Sequence, residues 1–133
     1  MVIDTSALVE IIEDGPARDR LADAAAKAPQ LVMSAATAVE FFIVMTAGKA
    51  YSPSFVGEVL TSMNIKVVPF DAEQMAEAWR GHTRYGGGRH GLNMGDCFSY
   101  ALAKISGEPL LYVGIDFGLT DVEPAIAQPA PGL

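Results

Sequence analysis

Four acidic residues stand in apolar surroundings. Asp4 closes the apolar run Met1-Val2-Ile3, Glu40 lies in the middle of Ala35–Ala47, Asp96 opens the apolar segment Cys97–Ala103, and Asp116 follows Leu110-Leu111-Tyr112-Val113. The helical neighbours of Glu40 at three and four residues are Ala36, Thr37, Ile43 and Val44, and Asp96 has no basic residue within a turn. A buried, ionised carboxylate without a partner costs several kcal/mol, so each must be protonated, paired from elsewhere or bound to a metal. Several carboxylates in one pocket raise one another's pKa unless a divalent cation neutralises them. Their hard oxygens select Mg²⁺ or Mn²⁺. Such ions activate water and stabilise charge in phosphodiester cleavage, so this set of acids supports metal-dependent nucleolysis. Structural readings stand beside this one. Asp4, Thr5 or Ser6 caps a first helix, Asp96 sits at the third position of a helix capped by Asn93, and Glu40 meets an arginine from another element.

Those acids need elements to carry them. Apolar runs at Met1–Ile3, Leu31–Met33, Ile65–Phe70 and Leu110–Val113 read as buried strands, and helical spacing covers 7–13, 17–28, 35–47, 53–64, 72–85 and 93–105. Ser34, Ser52 before Pro53, and Asp71 with Gln74 three residues on are helix starts; Gly48 and Gly107 are stops. The segment 35–47 is apolar nearly all round and is expected to be buried on most sides, and Met75, Ala78, Trp79 and His82 are the expected core positions of 72–85. Strands alternating with helices predict an α/β fold with a mainly parallel sheet. In such a sheet the strand ends and the helix starts that follow share one edge, where Asp4, Asp96 and Asp116 can meet. Glu40, nearly two turns into its helix, joins them only if that helix leans over the edge.

The chain has 133 residues, half of them hydrophobic, which predicts one domain over 1–133 with a loosely held tail at 123–133. No apolar stretch approaches the ~20 residues of a membrane span. The N-terminus lacks the pattern of a secretory signal and Cys97, the lone cysteine, reads as core, so a cytoplasmic protein is expected. The net charge of −7 argues against a broad basic nucleic-acid-binding face. The exception is local: Arg80, His82, Arg84, Arg89 and His90 cluster around Tyr85 and Gly86-Gly87-Gly88. This is either a solvated loop or a clamp on a nucleic-acid backbone, with Arg80, Arg84 and Arg89 placing RNA.

The stretches Met1-Val-Ile-Asp4-Thr-Ser6-Ala-Leu8, Ser34-Ala-Ala-Thr-x-Val-Glu40, Arg89-His90-Gly-Leu-Asn93-x-Gly-Asp96-Cys-Phe-x-Tyr-Ala-Leu-Ala103 and Asp116-Phe117-x-x-Thr-Asp-Val122 together resemble a PIN-domain ribonuclease of the VapC toxin type. The resemblance spans nearly the whole chain, in order. It implies a three-layer α/β/α sandwich, Mg²⁺-dependent cleavage of RNA with Mn²⁺ as a substitute, a homodimer, and inhibition by a VapB-type antitoxin. Matched residue by residue, it assigns Asp4, Glu40, Asp96 and Asp116 to catalysis, with Asp4, Asp96 and Asp116 on the metal and Ser6 and Asn93 as support. Val113 and Ile115 stand where similar sequences commonly carry a basic residue and a second acid. They are the feature favouring the alternative, a catalytically silent PIN-like module acting through partner binding. A haloacid-dehalogenase-like phosphatase needs an acid at the position of Ser6. A receiver domain needs a mid-chain phosphoacceptor and a late lysine after a strand, and neither is found.

Overall fold

Short apolar strands joined by helices build a four-stranded parallel sheet in a computed structural model that describes residues 1–88 and 91–127. The strands are β1 (Val2–Ile3), β2 (Leu31–Ser34), β3 (Ile65–Val68) and β4 (Leu110–Leu111), in the order β3-β2-β1-β4. Val2 pairs with both Val32 and Leu110, and Leu31 with Ile65. Strand alternation divides the core. Ile3, Leu31, Met33, Ile65 and Leu111 face one layer, made by α1 (Thr5–Ile12), α2 (Arg18–Lys27), α3 (Ala35–Ile43) and α4 (Pro53–Ser62). Val2, Leu110 and Tyr112 face the other, made by α5 (Ala72–Tyr85) and α6 (Met94–Ser106). The result is the three-layer α/β/α sandwich expected.

Where elements end differently from the sequence reading, a local bond accounts for it. β3 stops at Val68 because Pro69 has no N–H for the ladder. β4 stops at Leu111, and two residues on the N–H of Val113 donates to the Ser6 hydroxyl instead of a strand. The helix expected over 35–47 ends at Ile43 and continues as a π-helical turn to Gly48, where the Thr46 hydroxyl bonds the Phe42 carbonyl at 2.7 Å and competes with the backbone. α3 is also more open than expected, with Val39 and Ile43 exposed.

The buried face of α5 lies one step round from the expected one. Gln74, Ala78 and Gly81 face inward, while Met75 and His82 are exposed and Trp79 is 69% exposed. Gly81 decides this register. A Cβ there would collide with the ring of Tyr100, itself fully buried in α6, so the helix closes on α6 at its glycine. The tail expected to be loose is tied at its start. Leu110 donates to the Glu123 carbonyl at 2.9 Å and accepts from Ala125 at 2.8 Å, and Ala125 and Ile126 pack on the core. Residues 128–133 lie outside the described residues.

Candidate active site at the carboxyl edge of the sheet

Each acid is placed by the local signal that introduced its element. β1 ends at Ile3, and Asp4, only 3% exposed, is the N-cap of α1, accepting from the Ser6 N–H at 3.0 Å. Capping and the site are therefore one position, because a strand end and a helix start coincide there. Asn93 and Asp96 form a reciprocal capping box: Asp96 N–H donates to Asn93 at 2.8 Å and Asn93 N–H to Asp96 at 3.0 Å. That fixes Asp96 in the first turn of α6. Asp116 lies in the turns after β4, and the hydrogen bond from Val113 to Ser6 at 3.2 Å ties the start of that segment beside Asp4.

Glu40 does reach the edge. Its carboxylate accepts from the Thr5 hydroxyl at 2.7 Å, and its other oxygen lies so close to α6 that a Cβ on Gly95 would collide with it. Gly95 is thus the small residue that lets α3 and the start of α6 share the site.

The electrostatics show how close the acids are. Burial is the largest cause raising the pKa of Asp96, from the ordinary 3.8 to about 7; the Asn93 bond opposes it, and the charges of Asp4 and Asp116 and the nearby Asp116 carboxyl add to it. Glu40 is raised by burial first, lowered by the Thr5 hydroxyl and raised by Asp4. Among the described residues, no ion pair involves any of the four acids. Hydroxyls take the place of cations. Ser99 donates to Asp4 at 2.5 Å and lies 3.4 Å from the Thr37 hydroxyl, all three buried.

Ser99, Thr37 and the role of Thr5 toward Glu40 were not read from the sequence. Ser99 carries a signal all the same: it falls three residues after Asp96, hence on the same side of α6, as a hydroxyl in an apolar helix.

Asp121 goes elsewhere. It accepts from the Tyr100 hydroxyl at 2.8 Å and pairs with Lys104 at 2.9 Å. Burial would raise its pKa, but Lys104 and Tyr100 together hold it below the ordinary value. Of the three arginines expected to place RNA, Arg80 is bound to Glu77 at 2.6 Å, an i,i+3 pair on the exposed side of α5. Arg84 lines a groove that also contains Asp116. Arg89 lies outside the described residues.

The donor set fits a hard divalent cation: carboxylate oxygens, two of them with raised pKa, and, among the described residues, no competing ammonium or guanidinium partner. Among the described residues, however, no three acidic, histidine or cysteine side chains stand together at metal-holding separation. Holding an ion here requires side-chain rotation.

The PIN domain family model matches residues 1–122. The chain is 46% identical to a ribonuclease VapC of Mycolicibacterium smegmatis over 125 residues, covering 92% of this chain and 97% of that one. It is 42% identical to ribonuclease VapC36 of Mycobacterium tuberculosis, with 92% and 91% covered. Two solved structures share the fold at low identity. Mycobacterium tuberculosis VapC20, described as a sarcin-ricin loop cleaving toxin, superposes with a TM-score of 0.71 at 18% identity over 92% of this chain and 98% of that one. A toxin-antitoxin complex from Klebsiella pneumoniae gives 0.68 at 14%, with 90% and 92% covered. A PIN model over nearly the full length, together with these VapC relatives, places the chain in the PIN domain family, on its VapC ribonuclease branch.

Proposed function

We propose that the chain is a metal-dependent endoribonuclease toxin that hydrolyses RNA phosphodiester bonds with Mg²⁺, or Mn²⁺, at the carboxyl edge of its sheet. The observation that carries this reading is the meeting of Asp4, Glu40, Asp96 and Asp116 at one edge, where hydroxyls bond Asp4 and Glu40, backbone N–H groups bond Asp4 and Asp96, and no ion pair involves any of the four among the described residues. Asp4, Asp96 and Asp116 are the residues that would hold the ion, and it would supply an activated water and neutralise charge on the phosphate. Glu40, with its raised pKa, is the acid suited to hold or pass on a proton at its Oε2 beside Gly95. Ser99 and Ser6 orient Asp4, and Asn93 orients Asp96. Arg84 is the cation positioned to meet the RNA backbone.

The catalytically silent alternative rested on Val113 and Ile115. Val113 contributes its backbone N–H to Ser6, which any residue but proline does, and Ile115 leaves Asp116 beside Asp96, so neither substitution dismantles the acid set. The ribonuclease names of the relatives also favour the enzyme. The same relatives and the toxin-antitoxin neighbour support a VapB-type antitoxin as partner. Exposed apolar pairs at Val39 and Ile43 on α3 and Met75 and Trp79 on α5 offer surface for that contact and for a homodimer. Among the described residues, no helix is long and apolar enough to cross a membrane, and we place the protein in the cytoplasm with its RNA substrate.

The test is cleavage of a single-stranded RNA by the purified chain with Mg²⁺, with EDTA, and in the Asp96→Asn variant. Cleavage should need the metal and Asp96. Full activity in EDTA or in the variant refutes the proposal.

A further inference from the structure

A threonine inside a helix can turn its hydroxyl back to the carbonyl four residues earlier. Thr46, Thr61 and Thr83 do so, bonding the Phe42, Gly57 and Trp79 carbonyls at 2.7, 3.1 and 3.0 Å. Thr37 does not. It is the third residue of α3, so the carbonyl four residues back belongs to Met33 in β2, and its hydroxyl lies instead 3.4 Å from that of Ser99 on α6. We propose that Thr37 is a positioning residue for the metal site: it holds the Ser99 hydroxyl in the orientation that fixes Asp4, so that Asp4 meets a divalent cation already aimed. This rests on the metal-dependent reading above and adds to it a residue of α3, which carries none of the three acids assigned to the ion.

Three observations carry it. The first is direction. In its ionised, metal-binding form Asp4 only accepts, so Ser99 is the donor in the 2.5 Å bond to Asp4 Oδ1, a length characteristic of a hydroxyl on a charged oxygen. Ser99 has one proton, and it is committed there. Either oxygen of the Thr37–Ser99 pair is able to donate, and this leaves Thr37 as the donor. The order is Thr37 to Ser99 to Asp4, each donation polarising the next.

The second is burial. Thr37, Ser99 and Asp4 are 0%, 1% and 3% exposed, so their polar atoms depend on one another. Without Thr37, the competing orientation of Ser99 is the helical one, toward the Gly95 carbonyl four residues earlier. Ser106 adopts that orientation in the same helix, bonding the Leu102 carbonyl at 2.7 Å.

The third is how differently the acids are held. Both oxygens of Asp4 accept bonds, Oδ1 from Ser99 and Oδ2 from the Ser6 N–H at 3.0 Å. Among the described residues, Glu40 accepts on Oε1 alone, from Thr5, and Asp96 on Oδ2 alone, from Asn93. The rotation that an ion demands therefore falls to the other acids, while Asp4 stays fixed. The brace is reciprocal. Thr5, next to Asp4, bonds Glu40 of α3 directly, and Thr37, three residues before Glu40, reaches Asp4 through Ser99.

The experiment titrates the full chain with Mn²⁺ alone, without RNA, by isothermal calorimetry. Ser99→Ala should weaken Mn²⁺ binding about tenfold, the lower end of the range for a group that orients a metal-binding carboxylate. Thr37→Val keeps the shape of threonine without its hydroxyl and should weaken binding about threefold, as for one modest hydrogen bond. Thr37→Ala should match it, and serves in its place if valine does not fold. Thr37→Ser removes a buried methyl but keeps the hydroxyl, and should bind within about twofold of the unaltered chain. Because Thr37 reaches Asp4 only through Ser99, the double variant Thr37→Val, Ser99→Ala should bind like Ser99→Ala alone. Losses that multiply in the double variant overturn the relay. So does a loss that Thr37→Ser fails to recover, which would make packing its cause. Mn²⁺ binding that is normal and ignores Thr37 refutes the relay alone, whereas no Mn²⁺ binding by the unaltered chain refutes the metal-site reading and the relay with it.

Discussion

Removing one charge from the acid site should make the metal-free protein more stable at high pH, and Asp96→Asn is the cleanest way to do so. Asparagine keeps an oxygen for the Asn93 N–H, so the capping box loses little. Burial, then the charges of Asp4 and Asp116, raise Asp96 from 3.8 to about 7 in the folded chain. A rise of that size is worth about 4 kcal/mol. The side chain is partly open to solvent, and screening leaves roughly half, ~2 kcal/mol. The sign follows from proton counting: between pH 4 and 7 the folded protein holds a proton that the unfolded chain has released. The contribution is therefore fully present below about pH 4 and lost as pH rises through 7. The variant titrates no proton there and escapes the loss. In EDTA, thermal unfolding should show Asp96→Asn melting roughly 8 °C above the unaltered chain at pH 8, and within about 2 °C of it at pH 4. Mg²⁺ at pH 8 should raise the melting point of the unaltered chain and do much less for the variant. A gap that is absent at pH 8, or equal at both pH values, refutes the account of Asp96 as a carboxyl crowded by acids.

Other perturbations follow from the same geometry. Gly95→Ala drives a methyl into the Glu40 carboxylate, so cleavage should fall at least about tenfold while far-ultraviolet circular dichroism stays native. Asp116→Asn should raise the Mg²⁺ concentration needed for half-maximal cleavage, with partial rescue by excess Mg²⁺ or Mn²⁺. Asp121→Asn should instead cost about 1–3 kcal/mol of stability through Tyr100 and Lys104 and leave the metal requirement alone; a metal titration of both separates them. Arg84→Ala should weaken RNA binding and flatten its salt dependence by about one phosphate contact, whereas Arg80→Ala, already committed to Glu77, should leave the slope unchanged.

What could be read from the sequence was whatever a residue does with neighbours a few positions away. The caps at Ser34, Ser52, Asp71 and Asn93 and the stop at Gly107 are in the fold as read, and Gly48 ends the π-helical turn that follows α3, because a cap is satisfied within three residues of itself. The four acids were legible for a related reason: a carboxylate in an apolar run is costly whatever the fold does around it. Their partners were not. Glu40 meets Thr5 across 35 residues and Asp4 meets Ser99 across 95, and no local pattern encodes a bond between elements that only the sheet brings together. The partners of Asp121, Tyr100 and Lys104 on α6, were hidden for the same reason. Periodicity showed that α5 has a buried face and misplaced it by one step. Which face was buried was decided by the fit of Gly81 against Tyr100, a contact between two helices that neither helix's own spacing can reveal.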